Sequence, residues 1–225
     1  MRIREPFKNL AEAVPTIRLS EGGVCLLVVD CHHYSLSPNH GYGRVARERG
    51  IFRELDEYYE QLEQVTPNLQ HLVDSSRARA VSVIFTRLVG SCDVPSSVSP
   101  QARATGLWAE RSSIDAAFVP ELGPQNGELV LDKTTVSAFA DTGLGRTLST
   151  LKARSLVISG VLAEGAVALS ARDAADLGYN VVVVSDACAG ATWTSQSLAM
   201  TALVGGLVRI RSTAAVVEML NGTRT

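Results

Sequence analysis

Runs of aliphatic and β-branched residues recur along the chain at intervals long enough to hold helices: Val24 to Val29, Val81 to Thr86, Leu129 to Leu131, Leu156 to Ser159, Val181 to Val184 and Leu207 to Ile210. The runs are continuous and lack the apolar–polar alternation of a half-exposed strand. Strands of this kind are buried on both faces, which requires a parallel sheet covered by helices on each side. The pattern predicts a doubly wound α/β fold with a six-stranded parallel sheet. Between the first two runs, Leu55, Tyr59, Leu62, Leu69 and Leu72 recur at helical spacing, interrupted by Pro67. Pro67 either kinks one helix or opens a second with Thr66 as its cap. Ala166 to Leu177 is a run of good helix formers ended by Gly178, and Tyr179 and Asn180 lead directly into the next strand. From Val89 to Gly127 the chain is rich in Ser, Pro and Gly, with packing potential only at Ile114 to Leu122, which predicts loops over a site.

Composition narrows the class. With 225 residues and 46% hydrophobic content, the chain suits one domain spanning 1–225 around one core. Lys and Arg number 21 against 23 Asp and Glu, so no basic surface is expected for nucleic acid or an anionic membrane, and a small molecule is the expected partner. No apolar run approaches the roughly 20 residues of a membrane span. The charged start, Met1 to Pro6, lacks the apolar stretch of a signal peptide, which predicts a cytoplasmic protein. Cys25, Cys31, Cys92 and Cys188 form no CxxC pair, so neither a zinc knuckle nor a disulfide framework is expected.

In open parallel sheets, ligands bind beyond the carboxyl ends of the strands. The first run ends in Asp30, the third is followed by Lys133, and the fourth leads through Gly160-Val161-Leu162-Ala163-Glu164-Gly165 to Ala166 at a helix start. Singly, each has an ordinary reading: Asp30 as a turn cap, Lys133 as a solvated loop residue, the glycines as strand-to-helix geometry. Together they set an acid, a base and a helix N-terminus at one end of the sheet.

Three segments, in order, resemble one family. Leu26-Leu27-Val28-Val29-Asp30 is similar to the opening strand and aspartate of the isochorismatase-like hydrolases. Lys133-Thr134-Thr135-Val136-Ser137-Ala138-Phe139 resembles their lysine turn. Ile158-Ser159-Gly160-Val161, Ala171 to Val184 and Asp186-Ala187-Cys188 resemble the following strand, helix and strand. The likeness is greatest to the amide- and ureide-cleaving cysteine hydrolases. It implies a cysteine thiolate that attacks a carbonyl, an aspartate that carries the proton, a lysine, and backbone amides that hold the oxyanion. Mapped residue by residue, these are Asp30, Lys133, the amides of Leu162 and Ala166, and a cis peptide between Val161 and Leu162. The position of the cysteine is Ala166. The resemblance further implies a homo-oligomer, no cofactor and no metal: the one Asp-x-His sequence here, which could serve as in metal-binding nicotinamidase relatives, begins at Asp30 itself. Substrate contacts are expected from His33, Tyr34, Trp108 and Phe139, although Phe139 also suits packing beneath the lysine turn.

An alanine methyl cannot attack a carbonyl. Three readings of Ala166 follow: an engineered replacement in an otherwise intact amidohydrolase site; a true isochorismatase, whose vinyl-ether hydrolysis needs an acid and water but no thiol; or a natural pseudoenzyme that binds without turnover. Cys31 adjoins Asp30 but points to the opposite face of the strand, so it is expected to pack behind the site.

Overall fold

Val24–Val29 form β1, buried along its whole length in the computed structural model, which describes residues 16–222. Alternate side chains serve two cores. Cys25, Leu27 and Val29 pack on one side of the sheet, and Leu26 and Val28 on the other. Each fully buried aliphatic side chain contributes roughly 1.5–3 kcal/mol, so the strand that delivers Asp30 is gripped from both faces.

The chain continues through α1 (His33–Leu36), α2 (Gly41–Glu48) and α3 (Asp56–Arg77) to β2 (Ser82–Gly90). It then passes α4 (Pro100–Thr105), β3 (Ala109–Glu110) and β4 (Leu129–Lys133), and α5 (Leu144–Thr150) leads to β5 (Ser155–Val161). A π-turn at Ala163–Val167 opens α6 (Ala168–Asp176), followed by β6 (Asn180–Ala189), α7 (Trp193–Leu203), β7 (Val208–Arg211) and α8 (Thr213–Leu220).

The strands lie in the order β3-β2-β1-β5-β6-β7, and β4 pairs with β2 alongside β3. The pairs in the sheet are parallel. Strand order reverses between β1 and β5, which makes their carboxyl ends the expected ligand crevice. Helices α5, α6 and α7 cover one face, α3 and α8 the other. No helix among the described residues is long and apolar enough to cross a membrane.

The sheet holds seven strands where six were expected. The addition, β3, is two residues long and pairs only with Val89 and Gly90, too short to leave a pattern in the sequence. Lys133 ends β4 instead of following it. Pro67 interrupts no helix: α3 runs for 22 residues through it, and the Thr66 hydroxyl donates to the Leu62 carbonyl at 2.7 Å. The segment from Val89 to Gly127 is not all loop, because α4 forms there with the Ser99 hydroxyl accepting the Ala102 amide at 3.2 Å.

Gly160 is fixed by the close approach of β5 to β1. Its φ is 124°, and a Cβ there would stand 2.1 Å from the Val29 carbonyl oxygen. The β5–β6 register shifts beside it, between Ile158 and Gly160.

Candidate active site

Asp30 leaves β1 with φ of 55°, a left-handed conformation that non-glycine residues seldom adopt. Its amide still donates to the Thr86 carbonyl (3.0 Å), so the turn stays attached to β2. The carboxylate meets two donors: Thr86 Oγ1 lies 3.2 Å from Oδ1, and Lys133 Nζ lies 2.7 Å from Oδ2.

Lys133 is fully buried, and its ammonium also donates to the carbonyls of Thr135 (3.1 Å) and Val136 (3.0 Å). An ammonium has three N–H donors, and three acceptors meet it here. The lysine is therefore committed to holding Asp30 and shaping its own turn. That turn is docked onto α6: the Ser137 hydroxyl donates to the Asp173 carboxylate, and Ser170 Oγ accepts the Ala138 amide at 2.9 Å.

Beyond β5 the peptide bond between Val161 and Leu162 is cis, as the resemblance implies. The π-turn then begins, and the Leu162 carbonyl accepts the amides of Gly165 and Val167 at 3.1 Å each, passing over that of Ala166 between them. Glu164 anchors the turn by accepting the Ala191 amide at 2.9 Å. Gln61, wholly buried on α3, pairs with the amide and the carbonyl of Gly190, both at 3.2 Å. The turn that carries Ala166 is thus tied to the segment just after β6, which α3 in turn holds.

A cavity of about 220 Å³ opens where these ends meet. Asp30, Lys133, Leu162 and Ala166 all line it, as do Ser35, Tyr42, Gln101 and Thr105, which the sequence reading missed. Ser99-Pro100, a helix-start signature, was the available signal for the α4 residues. Tyr42 carried none, since α2 is short and largely polar.

His33, Tyr34, Trp108 and Phe139, the expected substrate contacts, are not among the residues that line this cavity. Tyr34 is drawn into a small core with Val89, Ala109 and Ala116, and meets Tyr42 edge-on at 4.9 Å. Burial pushes its phenol up to about 12. Trp108 covers Gly90, where a Cβ would come within 3.1 Å of the indole. Phe139 packs on the α5–α6 core with Tyr179, their centroids 6.3 Å apart. His33 leans on His40 at 5.1 Å.

No cysteine is among the residues that line the cavity. Cys31 is fully buried in the core beneath α3 and its Sγ donates to the Val29 carbonyl, so it packs behind the site. Burial raises its pKa far above the ordinary thiol value, with Asp30 adding to the effect. Neighbouring His32 turns Nδ1 to the backbone carbonyl of Asp30 (3.0 Å), and burial lowers its pKa. Among the described residues no cluster of three or more His, Cys, Asp or Glu side chains is arranged to hold a metal.

Residues 24–215 match the Isochorismatase domain family model. The chain is 32% identical over 130 residues to the uncharacterized isochorismatase family protein YwoC of Bacillus subtilis, a match covering 57% of this chain and 68% of that one. It is 28% identical over 131 residues to N-carbamoylsarcosine amidase of an Arthrobacter species, covering 54% of this chain but only 48% of the amidase. Among solved structures, a cysteine hydrolase from Pseudomonas syringae pv. phaseolicola superimposes with a TM-score of 0.78 at 18% identity, over 94% of this chain and 99% of that one. The family model spans the sheet from β1 through β7, and on that match the chain belongs to the isochorismatase family of hydrolases.

Proposed function

We propose that this cavity is the site of a hydrolase for C–N bonds in small amides, ureides or carbamoyl compounds, complete except for its nucleophile. The carrying observation is the convergence of Asp30, Lys133 and the Leu162–Ala166 turn on one small cavity. The N-carbamoylsarcosine amidase relative supports the choice of bond.

With a cysteine at 166, the thiolate would attack the carbonyl carbon, and the oxyanion would rest on the backbone amides of Leu162 and of residue 166 itself. Asp30, held by Lys133 and Thr86, takes the thiol proton and passes it to the departing amine as the C–N bond breaks. Water then releases the acyl group from sulfur. Lys133 acts as an electrostatic and positional partner of Asp30, because its donors are spent on Asp30 and its own turn. In the chain as it stands, Ala166 places a methyl where sulfur is required, and substrate binds without this covalent step.

Thiol-free vinyl-ether hydrolysis draws less support. A cyclic dicarboxylate calls for clustered cations, and Lys133, already paired, is the one cation among the lining residues. Exposed Trp193, Leu198 and Val204, on or just after α7, support a homo-oligomer; we further take residues 1–225 as one domain working in the cytoplasm.

The test is ammonia release from a panel of amides, ureides and carbamoyl compounds by three proteins: the chain itself, its Ala166→Cys variant, and Ala166→Cys combined with Lys133→Met. Release by Ala166→Cys alone is expected. Release by the unaltered chain, or silence from all three across the panel, would overturn the assignment.

A further inference from the structure

The polar groups facing the cavity divide into those already bonded within the protein and those left open. Lys133 is saturated by Asp30, Thr135 and Val136. The single O–H of Thr135 is shared between the carbonyls of Ser137 and Ala140, and that of Thr105 between those of Gln101 and Ala102. Ser99 Oγ caps α4. Three lining side chains remain without a hydrogen-bond partner among the described residues: the Tyr42 phenol, the Ser35 hydroxyl and the Gln101 amide. All three are uncharged.

The charge inventory gives the same result. Asp30 and Lys133 are the only ionisable carboxylate and ammonium among the lining residues, and they neutralise each other at 2.7 Å. A ligand carboxylate would lose its water without gaining a cation and would face the Asp30 carboxylate; a ligand ammonium would find no anion to itself. Burial of an unpaired charge is strongly disfavoured. The remaining lining, including Leu88, Leu107 and Val136, is apolar. At about 220 Å³ the space lies below the roughly 300–1,000 Å³ that serves drug-sized ligands.

We infer that the cavity selects small ligands uncharged at both ends, short neutral amides, ureas or carbamates, whose polar groups bond to Tyr42, Ser35 and Gln101. This inference rests on the reading of the cavity as the substrate site. It adds that members of that class carrying a carboxylate are excluded. Tyr42 is the principal positioning group: α2 presents it, Tyr34 and Tyr58 brace its ring edge-on at 4.9 and 6.3 Å, and it alone of the three joins a large apolar surface to a free hydroxyl.

Iodoacetamide and iodoacetate differ only in carrying an amide or a carboxylate, and both alkylate sulfur with loss of iodide. Their rates at the sulfur introduced by Ala166→Cys, read by peptide mass spectrometry to set Cys92 apart, are compared with their rates on free cysteine. The expected preference for iodoacetamide exceeds that of free cysteine by about tenfold or more, since a carboxylate must enter unpaired. Adding Gln101→Arg, which sets a cation at the rim, should return the ratio towards that of free cysteine. A ratio at or below the free-cysteine value, or no labelling by either reagent, overturns the inference. Alkylation requires no amide cleavage, so a retained preference without ammonia release would sink the proposed reaction and leave the selectivity standing. Should Ala166→Cys fold poorly, calorimetric titration of the unaltered chain with succinamide and its half-acid succinamate replaces it. Tighter binding of succinamide is expected, and equal or tighter binding of the half-acid overturns the inference.

Discussion

The floor and the rim of the cavity are built on opposite principles. At the floor, the ends of β1 and β4 carry Asp30 and Lys133, whose bonds close within the protein, and the turns around them are fixed from behind by Ser170 on the Ala138 amide and Glu164 on the Ala191 amide. At the rim, α1, α2 and α4 present Ser35, Tyr42 and Gln101 with side-chain bonds left for a ligand to complete. The difference separates two tasks. Groups that must hold one geometry are fixed by buried bonds on a rigid sheet, while groups that choose a ligand stand on short helices and gain their partners on binding.

Removal of a floor group should therefore cost folding free energy. Lys133→Met leaves the Asp30 carboxylate buried and unpaired, and urea titration should show a loss of roughly 3–5 kcal/mol. Adding Asp30→Asn should recover much of that loss, and full additivity of the two changes would show that the pair is not coupled. Ser170→Ala strips the acceptor from the buried Ala138 amide and should cost about 1–3 kcal/mol by the same titration. A rim change should act on ligand and not on fold. Tyr42→Phe should leave stability within about 0.5 kcal/mol while weakening a neutral amide by about three- to tenfold in calorimetry; a large loss of stability instead would place Tyr42 with the floor.

The smallest effect concerns the thiols. Burial pushes Cys25 up to about 11 and Cys188 up to about 12, and raises Cys31 well above the ordinary range. Burial keeps these three thiols protonated and out of reach of reagent, so the folded chain at pH 8 should take up one equivalent of alkylating reagent, at exposed Cys92, and slowly because the hydrogen bond with Glu110 raises that thiol's pKa as well. Uptake by buried thiols should begin only as the pH nears 11. Reaction of Cys31 at pH 8 would reopen it as a substitute nucleophile.

The same division governs what was legible in the sequence. β1, β2, β5 and β6 showed as apolar runs because burial on both faces leaves no other composition open to them, whereas β4 and β7 kept apolar runs although most of their residues are half-buried or exposed. Asp30, Lys133, Leu162 and Ala166 stood out because strand ends in such a sheet are where ligands meet it and the family's spacing fell on them, and the four line one cavity. β3 and α4 were illegible: two and six residues are too few to establish a period, although Ser99-Pro100 marked the helix start. Trp108 and Tyr34 were expected as ligand contacts because aromatic residues in loops often are, and both also have packing roles, the one over Gly90 and the other beside Ala116. Tyr42 and Gln101 carried no motif, because residues that await a ligand answer to that ligand and not to the periodicity of the fold.

The central claim is that Ala166 occupies the place of a nucleophile in an otherwise complete site. Intact-mass spectrometry of the Ala166→Cys variant, quenched early in its reaction with a neutral amide that it hydrolyses, tests this most directly. The account predicts an acyl adduct on the introduced sulfur, accumulating in Ala166→Cys and absent from the unaltered chain. Turnover with no adduct on that sulfur, traced instead to water or to another residue, would contradict it.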